Sequence, residues 1–293
     1  MARRNFPKTE ATSLLEQRIH ALYKRVPGAL AGDPESIHQL RVAGRRLRVA
    51  LPLCAQKPEG QRVVRARRTL RQLVRAAGSG RDLDVSLDLF EERVGALDPP
   101  SPEILVLRRG LRSARTQSRG QTMGAVLDVE IAQLRRDLRA IVARDGEGLF
   151  SVLLRLREAR EQIGDEVRTR LADLGGRFDA AELHLVRRRI RKLRYSAEVR
   201  GALRDEPSQA PLLLRELQSS LGTINDHHVM AAWLARRATR TARRRAELAD
   251  EAHRESECFR SRAMDLHREF LQRDPAGTLD RALRAMGVRR SVA

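Results

Sequence analysis

The chain has 293 residues, which accommodates one large domain or two of about 150 residues each. Lys and Arg total 58 against 38 Asp and Glu, a formal charge of +20, while 41% of residues are hydrophobic. That is too apolar for a disordered basic protein and basic enough to expect a polyanionic partner. Lys8, Lys24, Lys57 and Lys192 are the lysines, so arginine carries nearly all the positive charge. No run approaches the ~20 apolar residues of a membrane span. The basic start, Met1-Ala2-Arg3-Arg4, has no apolar run behind it, so no secretory signal and no membrane association are expected. The cytoplasm is the expected location. Cys54 and Cys258 match neither a zinc pattern nor a disulfide framework, and read as small apolar fillers or surface thiols.

In chain order, apolar spacing predicts helices over about 9–26, 34–56, 60–77, 83–96, 103–143, 149–174, 180–203, 211–221, 227–245, 248–272 and 278–286. No proline falls between Pro102 and Pro207. There Leu127, Ile131, Leu134, Leu138 and Ile141 keep helical spacing, as do Leu149, Leu153, Leu156, Ile163, Val167 and Leu171. Strand-like alternation is absent almost everywhere. The expected class is all-α.

Two segments echo each other half a chain apart. Residues 35–51 (ESIHQLRVAGRRLRVAL) align without gaps to 181–197 (AELHLVRRRIRKLRYSA). His38/His184, Arg41/Arg187, Arg45/Arg191, Leu47/Leu193 and Arg48/Arg194 coincide, and Arg46/Lys192 is conservative. RQLVRAAGSGRDLDV (71–85) then aligns with RELQSSLGTINDHHV (215–229), pairing Arg71/Arg215, Gly78/Gly222 and Asp82/Asp226. The simplest reading is two copies of one helical bundle, 1–146 and 147–293, joined near Asp145-Gly146-Glu147-Gly148.

At about 100° per residue, His38, Arg41, Arg45 and Arg48 share an arc of about 80°, and His184, Arg187, Arg191 and Arg194 share its counterpart. Ile37, Leu40, Gly44, Leu47 and Leu51 form the adjacent apolar face, matched by Leu183, Val186, Ile190, Leu193 and Ala197. Like charges at i,i+3 and i,i+4 repel, and no acid interrupts either stripe. One such stripe is ordinary in an arginine-rich chain. Two in the same register point to an anion on that face. Asp33 before Pro34 predicts a helix N-cap, and Asp179 with Glu182 a capping-box-like start. The first-turn histidines then read either as structural hydrogen-bonders or as anion contacts. Arg68, Arg71 and Arg75 make a second stripe, of which only Arg71 has a counterpart, Arg215. Gly78 and Gly222 are expected to end helices in left-handed caps. Asp82 and Asp226 read as N-caps of the following helices or as carboxylates holding stripe arginines.

These segments resemble the CHAD family, the conserved-histidine α-helical domain. The matching motifs are H-x-x-R-V-x-x-R-R-L-R at 38–48, H-x-x-R-x-x-x-R-K-L-R-Y at 184–195, L-x-x-x-x-G-S-G-R-D-L-D-V at 73–85 and L-G-T-I-N-D-H-H-V at 221–229. The resemblance covers essentially the whole chain. It implies two four-helix bundles related by approximate two-fold symmetry, with facing basic helices lining a central channel that binds inorganic polyphosphate. Carried over position by position, the anion-binding residues are His38, Arg41, Arg45, Arg46, Arg48, His184, Arg187, Arg191, Lys192 and Arg194. Arg68, Arg71, Arg75, Arg81 and Arg215 are outer candidates. Asn225-Asp226 stands where the first half has Arg81-Asp82, so any cation role for Arg81 is one-sided. The alternating-glutamate E-x-E-x-K motif of an accompanying triphosphatase-type domain is absent, so the chain looks like a stand-alone CHAD protein.

A ligand without bases needs only cations and a matching shape, and arginine forks supply both. Nucleic acid is the competing partner, since a +20 chain attracts any polyanion at low salt. Only Tyr195 lies near a stripe as a stacking platform. A polyphosphate-processing enzyme would need a metal held by carboxylates, or a nucleophile. Asp226-His227-His228 is the one dense polar cluster of ligand types, and it has no spaced carboxylate partner. The expectation is a non-catalytic binder with no cofactor and no metal, at most accompanying polyphosphate granules in the cytoplasm.

Overall fold

The computed structural model describes residues 9–144, 148–205 and 207–287, without the side chains of 79–81. The Arg81 side chain and most of the expected joint at 145–148 therefore lie outside the described residues. Every regular element among the described residues is a helix. The first half holds α1 (Glu10–Tyr23), α2 (Val26–Leu30), α3 (Pro34–Cys54), α4 (Gln61–Ala76), α5 (Ser79–Gly95), α6 (Pro102–Leu127) and α7 (Ile131–Val142). The second holds α8 (Leu149–Asp173), α9 (Ala180–Arg204), α10 (Ala210–Thr241), α11 (Ala246–Gln272) and α12 (Pro275–Ala285). No helix is long and apolar enough to cross a membrane among the described residues.

Local chemistry starts the two stripe helices as expected. The Asp33 carboxylate accepts from the Ser36 N–H at 2.8 Å, with Pro34 opening α3. Asp179 accepts from the N–H groups of Ala181 and Glu182 at 2.9 and 3.1 Å. Glu182 does not close a reciprocal capping box. It takes the Arg170 guanidinium at 2.7 Å instead, because a charged partner on α8 outcompetes a backbone donor.

Burial divides the molecule into three cores. The first gathers Leu15 and Leu22 of α1, Leu40, Leu47 and Leu51 of α3, Leu70 and Leu73 of α4, and Leu134 and Leu138 of α7. The second gathers Val167 of α8, Val186, Ile190 and Leu193 of α9, Leu214 and Leu221 of α10, and Leu279 of α12. The third, not foreseen from sequence, joins helices of both halves: Phe90 of α5, Leu107 and Leu111 of α6, Met230 and Leu234 of α10, and Phe259 of α11. Arg93 pins this core, donating from Nε and Nη2 to the buried Glu255 carboxylate at 3.0 and 2.9 Å.

The expected helix 9–26 ends at Tyr23 and is followed by a separate short α2 at Val26–Leu30, and two larger differences lie further along the chain. The predicted helix 103–143 is two helices, separated by a tight turn at Glu130 (φ −68°, ψ 65°), where the Ile131 N–H bonds the Val129 carbonyl at 2.6 Å. The break turns α7 back to the first core while α6 stays on the third. Leu127, counted in the apolar series, is 66% exposed. Conversely, 211–221 and 227–245 are not separate: α10 runs unbroken through Gly222 and Asp226. Neither glycine is left-handed. Gly78 (φ −90°) precedes α5, Asp82 lies inside its first turn rather than at its cap, and Gly222 and Asp226 are mid-helix.

Candidate functional site: an arginine cluster between α3 and α9

α3 is anchored in the first core and the stripe-bearing part of α9 in the second, while Val199 and Leu203 at the far end of α9 join α3 in the first core, so the two helices touch. That contact brings the two stripes together. Arg45 is pushed down to about 10, first by burial and then by the charge of Arg41, with Arg187 also opposing it. Arg191 is pushed down to about 9, first by burial and then by Arg45. Both stay cationic at neutral pH. Each is a desolvated charge facing its counterpart from the other half, and neither makes an ion pair among the described residues.

The cluster continues at both ends. Burial and the charges of Arg71, Arg67 and Arg188 lower Arg48. Burial, Arg189, Arg67 and Arg48 lower Lys192, with Glu166 opposing them. At the other end, burial lowers His184, a hydrogen bond with Asn225 raises it, and Arg188, Arg187 and Arg191 lower it further. His38, half-buried, precedes Arg41 by one turn on α3.

Carboxylates reach the stripes from α5 and from the next turn of α9, although none lies within either stripe. Arg41 donates from Nη1 to the Gly78 carbonyl at 2.9 Å and lies 3.7 Å from Asp82 Oδ1. Glu198, one turn beyond Arg194, collects Arg46 at 2.8 Å, Arg18 at 3.6 Å and Arg194 at 3.8 Å. Arg194 and Arg46 also flank the buried Tyr195 ring, their guanidinium carbons 4.9 and 5.9 Å from its centroid. Arg18, Arg46 and Arg194 thus share one carboxylate in a clamp tying α1, α3 and α9, whereas Arg45, Arg48, Arg187 and Arg191 make no ion pair with a carboxylate among the described residues.

The structure therefore brings together Arg41, Arg45, Arg48, Arg71, Arg187, Arg191, Lys192 and His184 and diverts Arg46 and Arg194 to Glu198. Arg68, Arg75 and Arg215 are exposed, and none is among the charges acting most strongly on this set. Sequence reasoning missed Arg67 and Arg188. Arg67 precedes Arg71 by four residues, so a 67/71 stripe was available to be read in place of 68/71/75. Glu198 follows Arg194 by four residues on α9, so that pairing is a local signal, whereas its pairing with Arg18 and Arg46 depends on packing. Among the described residues no group of three or more His, Cys, Asp or Glu is placed to hold a metal ion.

Fold and site define an all-helical protein with a desolvated cationic cluster between two helical cores. The sequence profile of the CHAD domain matches residues 13–235, well over half the chain, and the protein belongs to that family. Among solved structures, the crystal structure of the CHAD domain from the plant Ricinus communis is similar, with a TM-score of 0.60 and 20% identity. That likeness covers 99% of this chain and 96% of the plant chain, and it concerns the fold. A comparison with curated proteins finds no match.

Proposed function

We propose that the protein binds inorganic polyphosphate, without catalysis, in a basic channel formed where α3 and α9 face each other. The observation that carries this reading is the Arg45–Arg191 pair. Two cations desolvated against each other are disfavoured in the free protein, and the negative charge of a polyanion between them offsets both the cost of burial and the repulsion. Arginine suits the task because its fork binds phosphate oxygens bidentately and holds its charge. In this reading the halves 1–146 and 147–293 are two copies of one bundle about an approximate two-fold axis, each supplying one wall. On the same reading the protein works in the cytoplasm, beside polyphosphate granules.

The test is competition on one labelled polyphosphate probe, titrated with unlabelled polyphosphate and with RNA at equal phosphate concentration. Polyphosphate displacing the probe at much lower concentration supports the reading. RNA displacing it equally well makes the protein a general polyanion binder. Phosphate release with and without Mg²⁺ or Mn²⁺ checks the non-catalytic assignment, and sustained release in either condition overturns it.

A further inference from the structure

Gly222 sits in the unbroken middle of α10, buried and without a positive φ, so no backbone conformation demands glycine there. A helix-interior glycine lowers stability relative to alanine. What the position provides is room. A Cβ built there would lie 3.3 Å from Arg187 Nη2 and 3.7 Å from its Cζ and Nε, so the guanidinium lies over the bare glycine. One helical turn on along the same helix, Asp226 accepts from Asn225 Nδ2 at 3.2 Å. Burial holds its carboxyl above the usual carboxylate range, with the Asn225 hydrogen bond and then the charges of Arg187 and His227 opposing that rise and Asp82 adding to it. Arg187 Nε is buried with no hydrogen-bond partner, so the side chain depends on this surface for its orientation. The first half meets the same need differently, with Arg41 held by the Gly78 carbonyl and Asp82.

We propose that Gly222 and Asp226 are positioning residues that seat Arg187 for the bound anion, and that removing the negative charge of Asp226 weakens anion binding instead of strengthening it. The proposal rests on the polyphosphate reading above and gives Asp226 a role opposite in sign to its charge. If Asp226 acted only as a charge, Asp226→Asn would raise the net positive charge beside the ligand and tighten binding. If it orients Arg187, the same change loses a charge-assisted contact to phosphate.

The experiment titrates polyphosphate against wild type, Asp226→Asn, Gly222→Ala, Arg187→Ala and the Arg187→Ala/Asp226→Asn double variant. Asp226→Asn should weaken binding by about tenfold, and its salt slope should fall by about one. Gly222→Ala should weaken binding while its melting temperature is unchanged or up by about 2 °C. In the Arg187→Ala background, Asp226→Asn should add nothing, because it acts through that arginine. Equal or tighter binding by Asp226→Asn, or a loss that persists without Arg187, overturns the proposal. If wild type does not bind polyphosphate, the functional reading fails, and the seat is then judged by the Arg187 Nε–H nuclear magnetic resonance signal. A moved or faster-exchanging signal in Asp226→Asn and Gly222→Ala upholds the seat, and an unchanged one overturns it.

Discussion

Residues 78–82 and 222–226 carry the same glycine and aspartate at the same spacing, yet the chain treats them in opposite ways. At Gly78 the helix stops and restarts as α5, whereas at Gly222 α10 runs straight on. The break leaves the Gly78 carbonyl, in the turn between α4 and α5, open to Arg41, which donates to it at 2.9 Å. The unbroken stretch has no free carbonyl, so Arg187 lies over the missing side chain of Gly222 instead. The lesson is that one spacing serves one purpose, holding the arginine a turn beyond each histidine, by two structural routes. A second contrast lies between arginines with and without an ion-pair partner: Arg46 and Arg194 share the Glu198 carboxylate, whereas among the described residues no carboxylate pairs with Arg45 or Arg191, and Asp82 acts on Arg45 only through its longer-range charge.

The largest effect should come from the pair without a counter-ion. Arg45→Glu with Arg191→Glu should weaken polyphosphate binding more than about 100-fold, since two desolvated cations become anions at the centre of the cluster. Far-ultraviolet circular dichroism should stay helical, because the change relieves repulsion. Native helicity with unchanged affinity would remove the cluster from the binding site.

The arginines that share Glu198 should instead report on stability. Glu198→Gln leaves Arg18, Arg46 and Arg194 crowded around Tyr195 and should cost about 2 kcal/mol in urea denaturation, less than a fully buried pair because the site is partly exposed. A loss below about 0.5 kcal/mol would show that the clamp contributes little.

The two glycines should then separate. A Cβ at Gly78 would stand 2.8 Å from the Arg75 carbonyl oxygen, a backbone atom that cannot yield without moving the α4 end. Gly78→Ala should therefore lower stability by about 1–2 kcal/mol. Gly222→Ala meets only the far end of a flexible side chain and should be neutral or stabilising by up to about 1 kcal/mol. Equal losses at both positions in urea titrations would erase the distinction drawn between them.

The smallest effect concerns pH. In the free protein, partial burial and Arg188, Arg187 and Arg191 hold His184 below its ordinary value. A bound polyanion offsets those arginines, so His184 takes up protons on binding, and affinity should rise as pH falls from about 8 to 6. His184→Gln should flatten that profile more than His38→Gln, with little change in salt slope. Identical profiles for wild type and the double histidine variant would make both histidines structural. Without ligand the sign reverses. A histidine held low in the fold subtracts stability as pH drops through about 6.5, where the unfolded chain protonates first.

Much of this was legible in the chain. Asp33, Asp179 and the apolar faces of α3 and α9 were read correctly because capping and helical side-chain direction are local, decided within a turn or two. Helix limits were less legible. Leu127 continued the phase of Ile131 and Leu134 by coincidence, and only the competing pull of two cores on α6 and α7 breaks the chain between them. Gly222 was read as a stop because glycine commonly ends helices. Its actual reason, a guanidinium arriving from α9, is not present in its neighbours along the chain.

By itself, then, the sequence determined an all-helical protein with two basic stripes in matching register, because period and charge are properties of a single helix. Only tertiary structure decided that the stripes meet, that Glu198 draws Arg18 and Arg46 to the end of the α9 stripe, and that α5, α6, α10 and α11 close a third core across the halves. Those outcomes depend on which faces pack together. A helix shows its faces in its own sequence, but what lies across from each face is set by the packing of the whole chain.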